Sequence, residues 1–264
     1  MGRIRLAEHE TLPILRARVG DLAANVLVAG DPARVETMAQ RLESPRRVGA
    51  NREYVTYTGS YRGTPVSIMS HGVGAAGAAT AFEELCRAGA RRMLRVGTAG
   101  GMQPAVRAGS IVVAHAAIRA DGLTERLIPT EYPAVADPGI TLALRQVAGM
   151  AEVDVHTGIV LTAGNFYPSP VLANDQHMWQ EAGAIAVEME VAALLTVASL
   201  NQVAAGAVLA IDGNPLANVD EAMTGYQPFQ HVVDQAVDAS IHAGLEAIVA
   251  SEQTTRHGPH DGTR

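Results

Sequence analysis

One cysteine in 264 residues rules out an internal disulfide, and Cys86, set in a helical pattern, fits a reducing compartment. Aromatic residues are scarce at 4%, which disfavours a broad stacking surface for bases or carbohydrates. There is no basic excess either. A net charge of −7 argues against general attraction to nucleic acid or anionic lipid and leaves any bound anion to local arginines. No uninterrupted apolar run approaches the ~18 residues of a membrane span, and the N-terminal MGRIRLAEHE lacks the apolar stretch of a signal peptide. A soluble, cytoplasmic protein is expected. Paired cysteines, a His-Glu-x-x-His spacing and a Gly-x-Ser-x-Gly elbow are also missing, so the pattern offers neither a metal centre nor a serine triad.

What is present is Ala, Val and Gly in quantity, with 48% apolar and 18% charged residues, the composition of helices packed closely on a sheet. The length suits a single α/β domain over residues 1–264, with residues 1 to 12 as an arm or subunit contact and 251–264 as a disordered tail. Short buried strands alternate with helices. NVLVAG from Asn25 is a first strand, Asp31-Pro32 opens a helix with an N-cap and a proline at its first position, and Tyr54 to His71 forms a hairpin about Gly63. The next helix turns Ala78, Ala81, Phe82 and Leu85 inward and Glu83 and Glu84 outward. Later strands cover Ser110–Ile118, Thr157–Thr162, Ala184–Val187 and Ala207–Ile211. An apolar helix fills Val191–Leu200, and Phe229–Ala250 closes the chain with Val232, Val233, Ala236, Val237, Ile241, Leu245 and Ile248 inward.

The segment Arg91–Gly101, RRMLRVGTAGG, carries the strongest chemical signal. Met93, Leu94 and Val96 read as a strand covered on both faces, and Gly97–Gly101 as the loop leaving it. Arg95 lies inside that strand. A guanidinium there requires an anionic partner, either a carboxylate of the chain or an external anion. Thr98 and the small residues around it resemble one wall of a phosphate pocket. Gly30 and the helix start after it, with Arg34 in the first turn, form a second place that would receive an anion. The run His71-Gly-Val-Gly-Ala-Ala-Gly77 matches a dinucleotide-binding fingerprint, but the acidic residue expected about twenty positions on is absent. Glu188 and Glu190, bordering a buried helix, need partners, either core salt bridges or ligand hydroxyls. Phe166 and Tyr167 at a strand exit can stack on a flat ring or close the core, and Asp212 in Asp-Gly-Asn-Pro is turn chemistry at a strand's carboxyl end.

Taken in register, VAGDPARV, NREY, SHGVGAAGAATAFEEL, RVGTAGG, EYPAVAD, AVEME and LAIDGNP resemble the hexameric class of purine nucleoside phosphorylases and the similar uridine phosphorylases. The resemblance implies a single-domain α/β fold with a central mixed, partly barrel-like sheet flanked by helices. It also implies reversible phosphorolysis of a nucleoside, with inorganic phosphate as co-substrate and no other cofactor. By that resemblance Gly30, Arg34, Arg95 and Thr98 hold phosphate, with Arg52 reaching in from a neighbouring subunit of a homo-oligomer, a hexamer built as a trimer of dimers. Glu190 takes the ribose hydroxyls with Met189 against the sugar and Glu188 nearby, Phe166 meets the base, and Asp212 donates a proton to the departing purine. The Gln and Arg by which uridine phosphorylases read the pyrimidine edge are missing after Phe166-Tyr167, which favours the purine branch. Two departures stand out. Ile14 occupies the position of a histidine that usually reaches the ribose 5′-hydroxyl, and Ala163 and Gly164 replace a serine and an aspartate that usually steady the base-side loop.

Overall fold

The computed structural model describes residues 6–167, 169, 171–172, 175–216 and 231–256. A ten-stranded sheet runs through it. In chain order the elements are β1 (Asn25–Ala29), α1 (Pro32–Ala39), β2 (Glu43–Asn51), β3 (Tyr54–Tyr61), β4 (Thr64–Ser70), α2 (Ala75–Arg87), β5 (Arg92–Gly101) and β6 (Ile111–Ala120). They continue with β7 (Ala134–Val135), α3 (Pro138–Ala148), β8 (Val155–Ala163), α4 (Gln176–Glu181), β9 (Ala186–Glu188), α5 (Val191–Leu200), β10 (Ala204–Gly213) and α6 (His231–Arg256).

Strand pairing closes part of the sheet on itself. β10 pairs with both β5 and β6, and the path β10-β6-β8-β9-β5 returns to β10 as a barrel, while β1, β4, β3 and β2 extend from β5 as an open wing. The expected partly barrel-like sheet is therefore present. Apolar residues of α2 and α5 pack on one side, and those of α1, α3 and α6 on the other. α5 is buried from Val191 to Ala198, as a run that is apolar on nearly every side predicts. Among the described residues no helix is long and apolar enough to cross a membrane.

Several boundaries differ from the sequence reading for identifiable reasons. Gly97–Gly101 is strand, not loop, because β10 pairs with β5 through Gly100 and β9 pairs with its last two residues. The glycines answer to tertiary crowding. A Cβ on Gly97 would meet Arg95 Cζ at 2.9 Å, and one on Gly100 would meet Pro215 Cδ at 2.6 Å. Asp212 likewise lies in β10, at a register shift between Ile211 and Gly213, rather than in a turn. Glu84 points inward, its carboxylate accepting the backbone N–H groups of Ile14 and Leu15, each at 2.9 Å. That contact, with Leu12 fully buried, fastens the described part of the expected N-terminal arm to the core. Val232 is 45% exposed although expected inside. α6 runs on to Arg256, so 251–256 are helical, while Phe229 and 257–264 lie outside the described residues.

The long segment after β6 is organised by one side chain. Arg119 donates to the carbonyls of Thr124, Ile128, Pro129 and Tyr132 at 2.6–2.8 Å and to Thr124 Oγ1 at 3.2 Å. A guanidinium has five N–H groups, so the fork is fully occupied. Asp121 caps the same turn through the N–H groups of Leu123 and Thr124. Replacing Arg119 with Met should strand those carbonyls and cost about 2–5 kcal/mol. A thermal melt should then show Tm lowered by roughly 5–15 °C, and an unchanged Tm would refute this role.

Candidate functional site

The site forms where one edge of β5 changes partner. β1 pairs with it up to Val28 opposite Arg95, and β9, running antiparallel, pairs from Ala186 opposite Gly101 to Val187 opposite Gly100. The edge between those registers faces the end of β1 and the oncoming β9. Such a divergence at strand ends is where open sheets bind ligands. β9 brings Glu188, Met189 and Glu190 into the gap. β4, parallel to β1, delivers His71, and the Gly72–Gly74 turn behind it starts α2.

Arg95, 4% exposed, is the centre of this arrangement. Its Nη2 donates to Glu190 Oε2 at 2.6 Å, its Nε lies 3.4 Å from Glu188 Oε2, and its Nη1 donates to His71 Nε2 at 3.0 Å. Among the described residues Nε makes no hydrogen bond despite its burial. The side chain folds over Gly97, the one residue type that leaves it room. Of the two partners the sequence left open, a chain carboxylate meets the guanidinium in this structure. Glu190 also accepts the Gly74 N–H at 2.6 Å, at the first turn of α2, and so takes up two donors that suit an anion.

Glu188 has a different task. It accepts the N–H groups of Glu190 at 2.8 Å and Val191 at 2.9 Å and the hydroxyl of Thr162 at 2.7 Å. Thr162 Oγ1 in turn accepts Ala192 N–H at 2.9 Å. These contacts satisfy the free donors that open α5, so Glu188 anchors the helix start from which Glu190 projects.

His71 was not singled out from the sequence, where it was only the first residue of the glycine-rich run. It is fully buried. Because Nε2 accepts from Arg95, Nδ1 carries the proton and donates to Gly72 O at 2.9 Å. The ring stands edge-on to Phe82 at 5.3 Å. Burial first, then the Arg95 charge and more weakly that of Arg34, hold its pKa well below the usual range, so the imidazole is neutral.

The other expected residues surround this cluster at varying distance. Asp31 caps α1 through Ala33 N–H at 2.8 Å, and half-buried Arg34 in that helix is near enough to act electrostatically on His71. Gly30 packs against the Gly72 carbonyl. Thr98 lies three residues beyond Arg95 on β5, and the Asp212 bulge of β10 sits beside Ala99 and Gly100 of that strand. Phe166 and Tyr167 meet edge-to-face at 5.1 Å and are 54% and 66% exposed, forming an open aromatic corner rather than core. The loop that carries them has its own brace, since Asn165 Nδ2 donates to Tyr167 O at 2.7 Å. Arg52 is exposed at the β2–β3 turn. Its neighbour Asn51 donates from its side chain to Ile14 O at 2.8 Å, which ties the β2–β3 turn to the segment that carries Ile14. Among the described residues no group of three metal-ligating side chains occurs.

The carboxylates give this centre a defined pH response. Burial, with the neighbouring Glu190 charge, raises Glu188 from 4.5 to about 6 against the opposing pull of Arg95. A carboxyl with a raised folded-state pKa binds its proton more tightly when folded. Its contribution to stability is present below pH 4.5 and is lost as pH rises through about 6. Glu188→Gln cannot titrate, so denaturant unfolding should show wild type losing stability relative to this variant across that window. A difference independent of pH would contradict the assignment.

Comparison with known proteins gives the arrangement its context. The phosphorylase superfamily matches residues 25–250. A uridine phosphorylase of Treponema pallidum is 40% identical over 236 residues, covering 86% of this chain and 90% of the relative. A purine nucleoside phosphorylase of Plasmodium vivax is 36% identical over 81% of this chain and 83% of its own. Among solved structures, purine nucleoside phosphorylase from Toxoplasma gondii in complex with immucillin-H superposes with a TM-score of 0.87 at 29% identity, covering 94% of this chain and 99% of that one. Uridine phosphorylase from Vibrio fischeri gives 0.82 at 25% identity, over 93% and 100%. The match runs from β1 into α6 and takes in every strand of the sheet, and the chain belongs to the phosphorylase superfamily.

Proposed function

We propose that the protein catalyses reversible phosphorolysis of a purine nucleoside, releasing the free base and ribose 1-phosphate. The observation that carries this reading is Arg95, a buried guanidinium whose carboxylate partner Glu190 also holds the Gly74 N–H. In the proposed complex phosphate lies among Arg95, Arg34, Gly30 and Thr98, with Arg52 supplied by a neighbouring subunit. Guanidiniums around one dianion position it by charge-assisted hydrogen bonds. Glu190 turns to the ribose hydroxyls, Met189 lines the sugar and Phe166 covers the base. Phosphate attacks C1′ as the bond to the base breaks. Positive charge develops on the sugar and negative charge on the base, and Asp212 delivers a proton to N7 of the leaving purine.

Sharing of sites between subunits is proposed from exposed Arg52, at a turn tied through Asn51 to the Ile14 segment, and a hexamer built as a trimer of dimers is the proposed assembly. The purine reading rests on Asp212 at the end of β10 and on Ser169, Val171 and Leu172 after the aromatic pair, none of which supplies an amide or guanidinium to a pyrimidine edge; Pro168 and Pro170 lie outside the described residues. Uridine is the second reading, favoured by the 40% identity to a protein named uridine phosphorylase.

A panel of inosine, guanosine, uridine and 5′-methylthioinosine, with and without phosphate, tests these points by chromatography of the released bases. Release is expected only with phosphate and faster from the purines. Ile14, an apolar group where a 5′-hydroxyl would want a polar one, predicts a higher kcat/KM for 5′-methylthioinosine than for inosine. Turnover without phosphate would replace the phosphorylase with a hydrolase, and a preference for uridine would overturn the base assignment. Arg95→Ala should lower kcat/KM by roughly a hundredfold or more while the protein stays folded.

A further inference from the structure

The reaction as proposed gives work to Arg95 and Glu190 but none to His71, although His71 is fully buried and touches the guanidinium directly. We infer that His71 is a positioning residue for phosphate binding, an uncharged acceptor that fixes the orientation of Arg95 without neutralising it. The inference rests on the phosphate-binding reading of Arg95.

The geometry supports this in three steps. The ring is itself fixed, by the Nδ1–H bond to Gly72 O at 2.9 Å and by the edge-on contact with Phe82 at 5.3 Å. That leaves the Nε2 lone pair aimed at Arg95 Nη1 at 3.0 Å. The imidazole thus settles the rotation of a planar fork whose hydrogen bonds to an anion depend on direction. Second, the other close partners are carboxylates, and both have competing duties. Glu188 is engaged by the start of α5, and Glu190 must release Arg95 Nη2 if that nitrogen is to receive phosphate. His71 is the contact that can persist through the cycle. Third, its neutrality matters. A third carboxylate at this point would fix the guanidinium equally well but would add negative charge where a dianion has to bind. Imidazole supplies an acceptor at no cost in charge, and the surrounding burial with the Arg95 and Arg34 charges keeps it unprotonated.

The test compares His71→Leu, which removes the acceptor, with His71→Gln, whose side-chain carbonyl can restore it. Initial rates are measured with phosphate varied at saturating nucleoside and the reverse, and phosphate binding is measured by calorimetry on the same preparations. His71→Leu is expected to raise the phosphate KM and Kd by roughly ten- to hundredfold, the loss of a hydrogen bond to a charged group. The nucleoside KM should change by less than about twofold, and His71→Gln should recover most of the phosphate affinity. A parallel rise in both KM values, a loss confined to kcat, or unchanged phosphate affinity in His71→Leu would overturn the inference. If His71→Leu fails to fold, His71→Gln decides alone. Near-wild-type phosphate affinity sustains the inference, and a loss as large as tenfold in that folded variant overturns it. Wild-type protein that binds phosphate without cleaving nucleosides would remove the proposed reaction and leave the calorimetric comparison to decide His71. Wild-type protein that binds no phosphate would remove both.

Discussion

The burial of one positive charge inside β5 constrains more of this structure than any other contact. Removing a guanidinium from water costs several kcal/mol unless its N–H groups find partners, and the partners of Arg95 come from segments far apart in sequence. His71 follows β4, Glu188 ends β9, Glu190 opens α5, and Gly97 leaves the side chain its space. Each is fixed by something else. Glu188 is held by the first N–H groups of α5 and by Thr162 from β8, His71 by Gly72 and Phe82, and Glu190 by Gly74 at the start of α2. Barrel, wing and two helix termini therefore meet at a single side chain, and displacing any of them leaves a buried charge exposed to poorer company.

All 20 basic residues of the chain are arginines, and two of them show what the planar fork provides. Arg119 spends its donors on carbonyls of one loop and converts an irregular segment into a fixed one. Among the described residues Arg95 is held by fewer hydrogen bonds, two in number, and its Nε is buried without one. The same group is thus saturated where the role is structural and undersaturated where the strands diverge. A lysine in either place would offer a single point of charge in place of a directed array. With a net charge of −7, attraction for an anion has to arise from such local placement, because the protein as a whole repels it.

Much of this was legible in the sequence because local rules and tertiary structure agree. The cap at Asp31-Pro32, the hairpin about Gly63 and the largely apolar run of α5 all follow from patterns within a few residues. Arg95 announced itself by being a charge in an apolar strand. The misread features have a different origin. Gly97–Gly101 resembled a loop because glycine is common in loops, whereas here the small residues make way for the Arg95 side chain folded back over its own strand and for Leu209 and Pro215, the last two being contacts that no local window contains. Glu84 looked exposed because helical periodicity places it beside Glu83, but the N-terminal segment comes over that face and offers two backbone N–H groups. His71 was passed over because a histidine before a glycine run has no distinctive spacing, and its meaning comes from a guanidinium 24 residues later.

Glu190 shows why the sequence could leave a salt bridge and an anion site both open for Arg95. In the proposed function the two describe one arrangement with different occupants. A buried cation that binds an anion during a reaction must be tolerable when the anion is absent, and a nearby carboxylate makes it so. The same carboxylate then competes with the anion, which would weaken binding unless it has somewhere else to go. In the proposed reaction the ribose hydroxyls give it that alternative, since they offer donors to a carboxylate that has surrendered Arg95 and Gly74. Phosphate and nucleoside would thereby assist each other's binding, each reducing the cost of the other through the position of a single side chain. A fixed ion pair at Arg95 would give stability alone, and a solvent-filled hollow would give affinity alone; a carboxylate at the N-cap of a helix, held at its base by Glu188, can serve both states.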